Sequence, residues 1–389
     1  MNKDNIIQKI KSSIPEMVAI RHHLHQKPEL GFEENQTSAF IADKLKSWGY
    51  DVETHIAGTG LVATLRVGDG TKIIGFRADM DALPIEECSN VAYSSQNNGV
   101  MHACGHDGHM TTLLTAAKYL AENKNFSGTV RLIFQPAEEG LGGAKKMVED
   151  EKLFERFPCD VIYGYHNVPG IPQGKICLIN GVATAASDRA RIVINGKSGH
   201  GAQPHLSVDP IVVGTSIVSG LQTIVSRNIN PLQAGVITVG SFRAGDAYNI
   251  IPETAELRLT IRSYDKDVRD LFETRIKNLA KSQAQSFDAD VKIDYWRINP
   301  QTMNDAAATN RVKDVALSMF GEDAIIEKDT PFTFSDDFSF MTNACAGSYV
   351  FIGNGDSAQL HNDHYDFNDK NLEVGGALWA ALAETYLQP

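Results

Sequence analysis

Apolar residues at Ile6, Ile7, Ile10, Ile14, Val18 and Ile20 recur at helical spacing, so the chain opens with a predicted amphipathic helix. A second helix is predicted over about Thr37–Trp48, closed by Gly49 just past its last turn. Two β-rich runs follow, Gly60–Val67 and Thr71–Ala78. Next comes a predicted helix over about Asp107–Asn123, with Met110, Leu113, Leu114, Ala117 and Leu120 on one face. Strands are predicted at Thr129–Phe134 and Val161–Tyr165. This alternation gives an α/β fold in which helices flank a central mixed sheet.

The pattern changes near Ala183. A strand at Arg189–Ile194, a helix at Asp209–Arg227, strands at Gly235–Phe242 and Thr254–Ser263, a helix at Asp265–Phe287 and a strand at Ala289–Tyr295 make a βαββαβ set. Such a set reads as an inserted ferredoxin-like α+β domain. Residues 1–182 and 296–389 are then one domain and residues 183–295 the insertion, with a last helix near Asn371–Leu387. A chain of 389 residues is too long for one ordinary core, which agrees with two domains.

The net charge of −12 comes with dispersed Lys and Arg and no basic stripe, which excludes a nucleic-acid surface. No apolar run approaches a membrane span, and Met1–Lys11 is too polar for a secretory signal. Five cysteines, odd in number and irregularly spaced, suit a reducing compartment. A cytoplasmic location is the expectation.

The densest chemistry is His102-Ala103-Cys104-Gly105-His106-Asp107-Gly108-His109, immediately before a helix. A loop entering a helix can aim several side chains at one point, and metal ligands are seldom this concentrated. The plain alternative is a polar helix cap. Gln135-Pro136-Ala137-Glu138-Glu139-Gly140 sets two adjacent carboxylates directly after a strand, where open α/β sheets place their sites. Adjacent acids repel, so a solvated pair is the plain reading and a cation the chemical one. His166 ends another strand, and His361 and His364 lie near the C-terminus. Taken alone, each histidine is more simply structural; the coincidence of several favours a metal centre.

On these residues the sequence resembles the M20 family of metallopeptidases and amidohydrolases, in the branch of hippurate hydrolases, N-acyl-amino-acid amidohydrolases and auxin-conjugate hydrolases. The shared stretches span the chain: LHQKPELGFEE (24–34), RADMDALP (77–84), MHACGHDGH (101–109), QPAEEG (135–140), HNVPG (166–170), GDAYNIIP (245–252) and LHNDHYDF (360–367). The resemblance implies a zinc-exopeptidase-like catalytic domain and an inserted lid and dimerisation domain. It implies two divalent metal ions, Zn, Mn, Co or Ni, bridged by the Cys104 thiolate. Glu139 and His361 would complete one metal, and His106 and His166 the other. Glu138 would be the general base, and Asp81, with Asp79, would hold the ligands in place. His102 and His109 would support or cap rather than ligate. His200, within Lys197–His205, would polarise the scissile carbonyl, its own or a dimer partner's, while Asn249 and Arg262 would bind substrate carbonyl and carboxylate.

The implied reaction is hydrolysis of a small N-acyl amino acid by a metal-activated water, in a homodimer or larger homo-oligomer. N-acetyl-diaminopimelate or dipeptides are the alternative substrates. From the residues alone, a thiol hydrolase with Cys104 as nucleophile and His106 as base is a further alternative. Two departures from the family pattern, Asp363 in place of proline and Phe334-Ser335-Asp336-Asp337-Phe338 in place of Gly-Ser-Glu-Asp-Phe, are expected near the substrate mouth, where they would bear on acyl preference.

Overall fold

The structure is a computed structural model that describes residues 3–388; residues 1, 2 and 389, the ends of the expected catalytic domain, lie outside the described residues. The described chain divides into two compact units.

The first unit takes in residues up to Ala183, Thr302–Thr330 and the chain from Asp336 onward. It opens with α1 (Lys3–Gln26) and α2 (Asn35–Ser47), followed by β1 (Asp51–Ile56), β2 (Gly60–Val67), β3 (Ile73–Asp79), α3 (His106–Asn123), β4 (Gly128–Gln135) and β5 (Val161–Pro169). One eight-stranded sheet runs in the order β1, β2, β4, β3, β5, then the strands Gly347–Gly355, Ile176–Leu178 and Ile325–Glu327. It is mixed, as the alternating pattern predicts: β1, β2 and β4 pair antiparallel, whereas β4, β3, β5 and Gly347–Gly355 run parallel.

Parallel strands are covered on both faces, and every residue of β5 is accordingly buried. Phe76 on β3 and Tyr163 on β5 pack against Trp379 of the last helix, Asn371–Tyr386. Each fully buried side chain of this size contributes about 1.5 to 3 kcal/mol. Helix α3 is wrapped on nearly all sides, and its internal Thr111 and Thr115 hydroxyls donate back to the carbonyls of Asp107 and Thr111 at 2.7 and 2.8 Å, which satisfies both hydroxyls inside the packed interior. The register Asp79↔Gln135 in the β3–β4 pair brings the carboxyl ends of the parallel strands level with one another, beside the start of α3.

The second unit comprises Thr184–Gln301 with Pro331–Ser335. Its antiparallel sheet has the order Gly235–Arg243, Thr254–Ser263, Ala186–Asn195, Asp290–Asn299. The helices Pro210–Asn228 and Lys266–Gln285 pack on it around Ile192, Ile217, Leu221, Phe272 and Ile276. Strand Asp290–Asn299 extends four residues beyond the expected strand end at Tyr295, because Asn299 still pairs with Ser187. The chain therefore returns to the first unit after Gln301, rather than at residue 296. Among the described residues no helix is long and apolar enough to cross a membrane.

Candidate metal centre

Gly105 adopts φ +91°, a backbone conformation open to glycine, and so turns the chain from the 101–104 segment into α3. That turn presents Cys104 and His106 toward β5. The Cys104 Sγ lies 3.3 Å from His166 Nε2, and the Cys104, His106 and His166 donor atoms all fall within 4.8 Å of one another. Cys104, Glu139 and His361 make a second such group, so the two triads share the sulfur. The five residues come from the start of α3, the loop after β4, the end of β5 and the C-terminal loop. His361, itself at φ +63°, is anchored by donating its backbone N–H to Ala103 O at 2.8 Å.

The imidazoles are oriented. His106 Nδ1 lies 2.8 Å from the Asp81 carbonyl oxygen, and His166 Nδ1 2.7 Å from that of Asn167. A carbonyl only accepts, so each Nδ1 carries a proton and each Nε2 is left to face the cluster. His106 Nε2 is buried with no hydrogen-bond partner. Orphaned polar atoms of this kind are costly unless a ligand satisfies them. Asp81 Oδ2 accepts the Glu139 N–H at 2.9 Å, and His361 Nε2 lies 3.2 Å from Glu139 Oε1.

The electrostatics point the same way. Burial alone would lower the His106 imidazole, yet Asp79, Asp81 and Glu139 push it up to about 10. Burial, together with Glu139, Glu138 and Asp79, raises the Cys104 thiol far above its usual range. Burial and the carboxylates of Asp336, Glu139, Asp337 and Asp81 likewise raise Glu138. Carboxylates crowd these donors, and a sulfur, nitrogen and oxygen donor set suits a divalent cation.

His109 has both nitrogens engaged, Nδ1 with Asp79 Oδ1 and Nε2 with Asn167 Oδ1, each at 2.6 Å, so it braces the cluster and is spent as a donor. His102 is fully buried without hydrogen bonds on either nitrogen, and burial brings it down to about 4. Asp79 is tied to Arg77 Nη1 at 2.7 Å.

Several participants were not evident beforehand. Asp336 and Asp337, expected at a substrate mouth, are 2 % and 0 % exposed and cluster with Glu138; Asp363 is half-buried. The difference comes from Arg77, which is fully buried and reaches Asp336 at 3.2 Å and Asp337 at 3.4 Å. A lone arginine in an apolar parallel strand was the available signal.

In the second unit, His200 and Asn249 are neighbours across a two-stranded sheet: His200 pairs with Ile250, and the Gly201 N–H donates to Asn249 O at 2.8 Å. Both are exposed. Arg262 is half-buried and bonds Thr260 Oγ1 at 2.8 Å and Ile261 O at 3.0 Å.

The sequence matches peptidase family M20/M25/M40 over residues 75–385. It is 44 % identical over 384 residues to a hippurate hydrolase of Campylobacter jejuni, covering 99 % of this chain and 100 % of that protein. It is 38 % identical to an N-acetyl-L-cysteine deacetylase of Bacillus subtilis, covering 91 % of this chain and 84 % of that one. A solved Bacillus subtilis structure, described as a dinuclear metal-binding peptidase of the M20 family, superimposes with TM-score 0.84 at 29 % identity, covering 97 % of this chain and 99 % of that one. The chain belongs to the M20 family and is a metal-dependent hydrolase.

Proposed function

We propose that this protein hydrolyses the amide bond of N-acyl amino acids, hippurate-like or N-acetylated, with Cys104, His106, Glu139, His166 and His361 holding two divalent cations. The carrying observation is the pair of donor triads sharing Cys104, with the Glu138 carboxyl alongside. The hippurate hydrolase and N-acetylcysteine deacetylase relatives support the substrate class. When bound, the cations supply Lewis acidity and bring the pKa of water toward neutrality.

Glu138 takes the proton of the attacking water and returns it to the leaving amine as the C–N bond breaks. Its raised affinity for a proton suits the second half of that task. Asp81 steadies His106 and the backbone of Glu139. In the second unit, the proposal assigns His200 to the scissile carbonyl, Asn249 to the substrate carbonyl and Arg262, through its planar fork, to the carboxylate. It includes a cytoplasmic setting, in keeping with five free cysteines, and a homodimer or larger homo-oligomer through the inserted unit, acting as a lid.

The thiol-hydrolase alternative fares worse on two counts. The imidazole against the sulfur belongs to His166 rather than His106, and a nucleophilic cysteine needs a depressed pKa, whereas burial and carboxylates raise this one.

The test is release of free amino acid from N-benzoyl, N-acetyl and indole-acetyl amino acids, using metal-free enzyme and enzyme given Zn, Mn, Co or Ni. Loss on chelation with return on metal addition supports the proposal. Activity indifferent to chelation but abolished by thiol alkylation would support the thiol mechanism, and turnover confined to dipeptides or N-acetyl-diaminopimelate would replace the substrate class.

A further inference from the structure

The stretch LHQKPELGFEE, residues 24–34, plays no part in the chemistry above, yet its last residue reaches the carboxylate turn. Glu34 is 0 % exposed, far from the behaviour of an ordinary glutamate at a helix start. Its Oε1 accepts the backbone N–H of Ala137 at 2.8 Å, and its Oε2 accepts the Thr59 hydroxyl. Ala137 is the residue before Glu138 and has φ +53°, the left-handed region that an alanine enters at a cost. The neighbours are built around the turn. A Cβ on Gly31 would come within 3.0 Å of Ala137 Cα, and one on Gly143 within 1.7 Å of Pro136 O.

From this geometry we infer that Glu34 is a positioning residue: through the Ala137 N–H and the Thr59 hydroxyl it holds the strained turn that aims Glu138 and Glu139. The inference rests on the reading of Glu138 as the proton-transfer group. A buried carboxylate receiving two hydrogen bonds is a stiff latch, and Asp81 supplies a second on the far side of Glu138, at the Glu139 N–H. A non-glycine residue keeps φ above zero only where its surroundings insist on it. Without the Glu34 acceptor, Ala137 relaxes and the Glu138 carboxyl moves off its line.

The experiment measures kcat, KM and bound metal for hippurate hydrolysis by full-length metal-loaded enzyme carrying Glu34→Ala, Glu34→Gln or Thr59→Val. Glu34→Ala is expected to lose about 10- to 100-fold in kcat, the usual cost of removing a partner that orients an active-site group, with KM and saturating metal content unchanged. Glu34→Gln should recover most of kcat, since its carbonyl accepts from Ala137 and its amide donates to Thr59. Thr59→Val, nearly isosteric, should lose a few-fold in kcat and decides the matter if Glu34→Ala does not fold. Wild-type kcat in Glu34→Ala or Thr59→Val, or no recovery in Glu34→Gln, overturns the inference. Wild-type kcat in Glu138→Gln instead overturns the reading of Glu138 on which it rests.

Discussion

His106 is held by Asp81: the imidazole Nδ1 donates to the Asp81 carbonyl oxygen at 2.8 Å and lies 3.4 Å from its Oδ1. The other carboxylate oxygen, Oδ2, accepts the Glu139 N–H at 2.9 Å. One residue thus orients a candidate ligand of each triad. Asp81→Ala keeps the backbone acceptor but frees Glu139, and is expected to cost about 10- to 100-fold in metal affinity or activity. Metal titration of the apo-enzyme, followed by assay at saturating metal, checks this; unchanged affinity and rate would reduce Asp81 to scaffolding.

Glu138→Gln removes the proton acceptor while preserving shape. The proposed mechanism expects kcat to fall by about 100- to 10,000-fold with bound metal retained, the span usual for general acid–base catalysis. Metal analysis alongside single-turnover assay separates loss of the base from loss of the cations. A variant turning over at the wild-type rate would refute the role.

Arg77 faces Asp79, Asp336 and Asp337, and all four side chains are buried. Burial would lower its guanidinium pKa, but Asp336 and Asp79 outweigh burial and hold the charge firmly on. Arg77→Leu leaves carboxylates uncompensated in the interior, so a loss of about 3 to 5 kcal/mol in unfolding free energy is expected. Urea denaturation with unchanged m-value measures it; a loss below about 1 kcal/mol, typical of a surface pair, would contradict this account.

How much of this was legible follows from sequence distance. Three candidate ligands and the base sit in compact stretches, Cys104 with His106 and Glu138 with Glu139, and the ends of apolar runs place those stretches at strand ends and a helix start. The contacts that brace them do not: Glu34 meets Ala137 across 103 residues, and Arg77 meets Asp336 across 259. Pattern reading sees neighbours at helical or strand spacing and is blind to such pairs. Strand β1, Asp51–Ile56, escaped because an edge strand exposing alternate residues carries few apolar positions. In the ferredoxin-like set, Thr254–Ser263 was legible because its buried positions alternate along its whole length.

His25 offers a pH signature in the folded state. Burial would lower its imidazole, but Asp107 at 2.7 Å, helped by Glu87, pushes it up to about 9. A raised histidine stabilises the fold fully below the unfolded value near 6.5, and that contribution disappears as pH climbs toward 9. The shift corresponds to roughly 3 kcal/mol. Wild-type stability should therefore decline between these limits, and His25→Gln should flatten the decline. Parallel slopes in the two proteins would assign the pH dependence to other groups.

His200 carries the last prediction. The Ala202 N–H donates to His200 Nδ1 at 3.1 Å, so that nitrogen is an acceptor and the ring proton resides on Nε2. A neutral ring with an outward Nε2–H is the form that can donate to a carbonyl oxygen as negative charge builds on it. Removing one such donor generally costs about 100- to 1,000-fold in kcat. His200→Ala is expected to show that loss in kcat with metal content untouched, because no candidate ligand lies in the same unit. His200→Asn, which keeps a donor on a shorter reach, should recover part of it. If His200→Ala instead raises KM alone, the ring contributes to holding substrate in the ground state, and the proposed stabilisation of the developing charge would have to come from elsewhere.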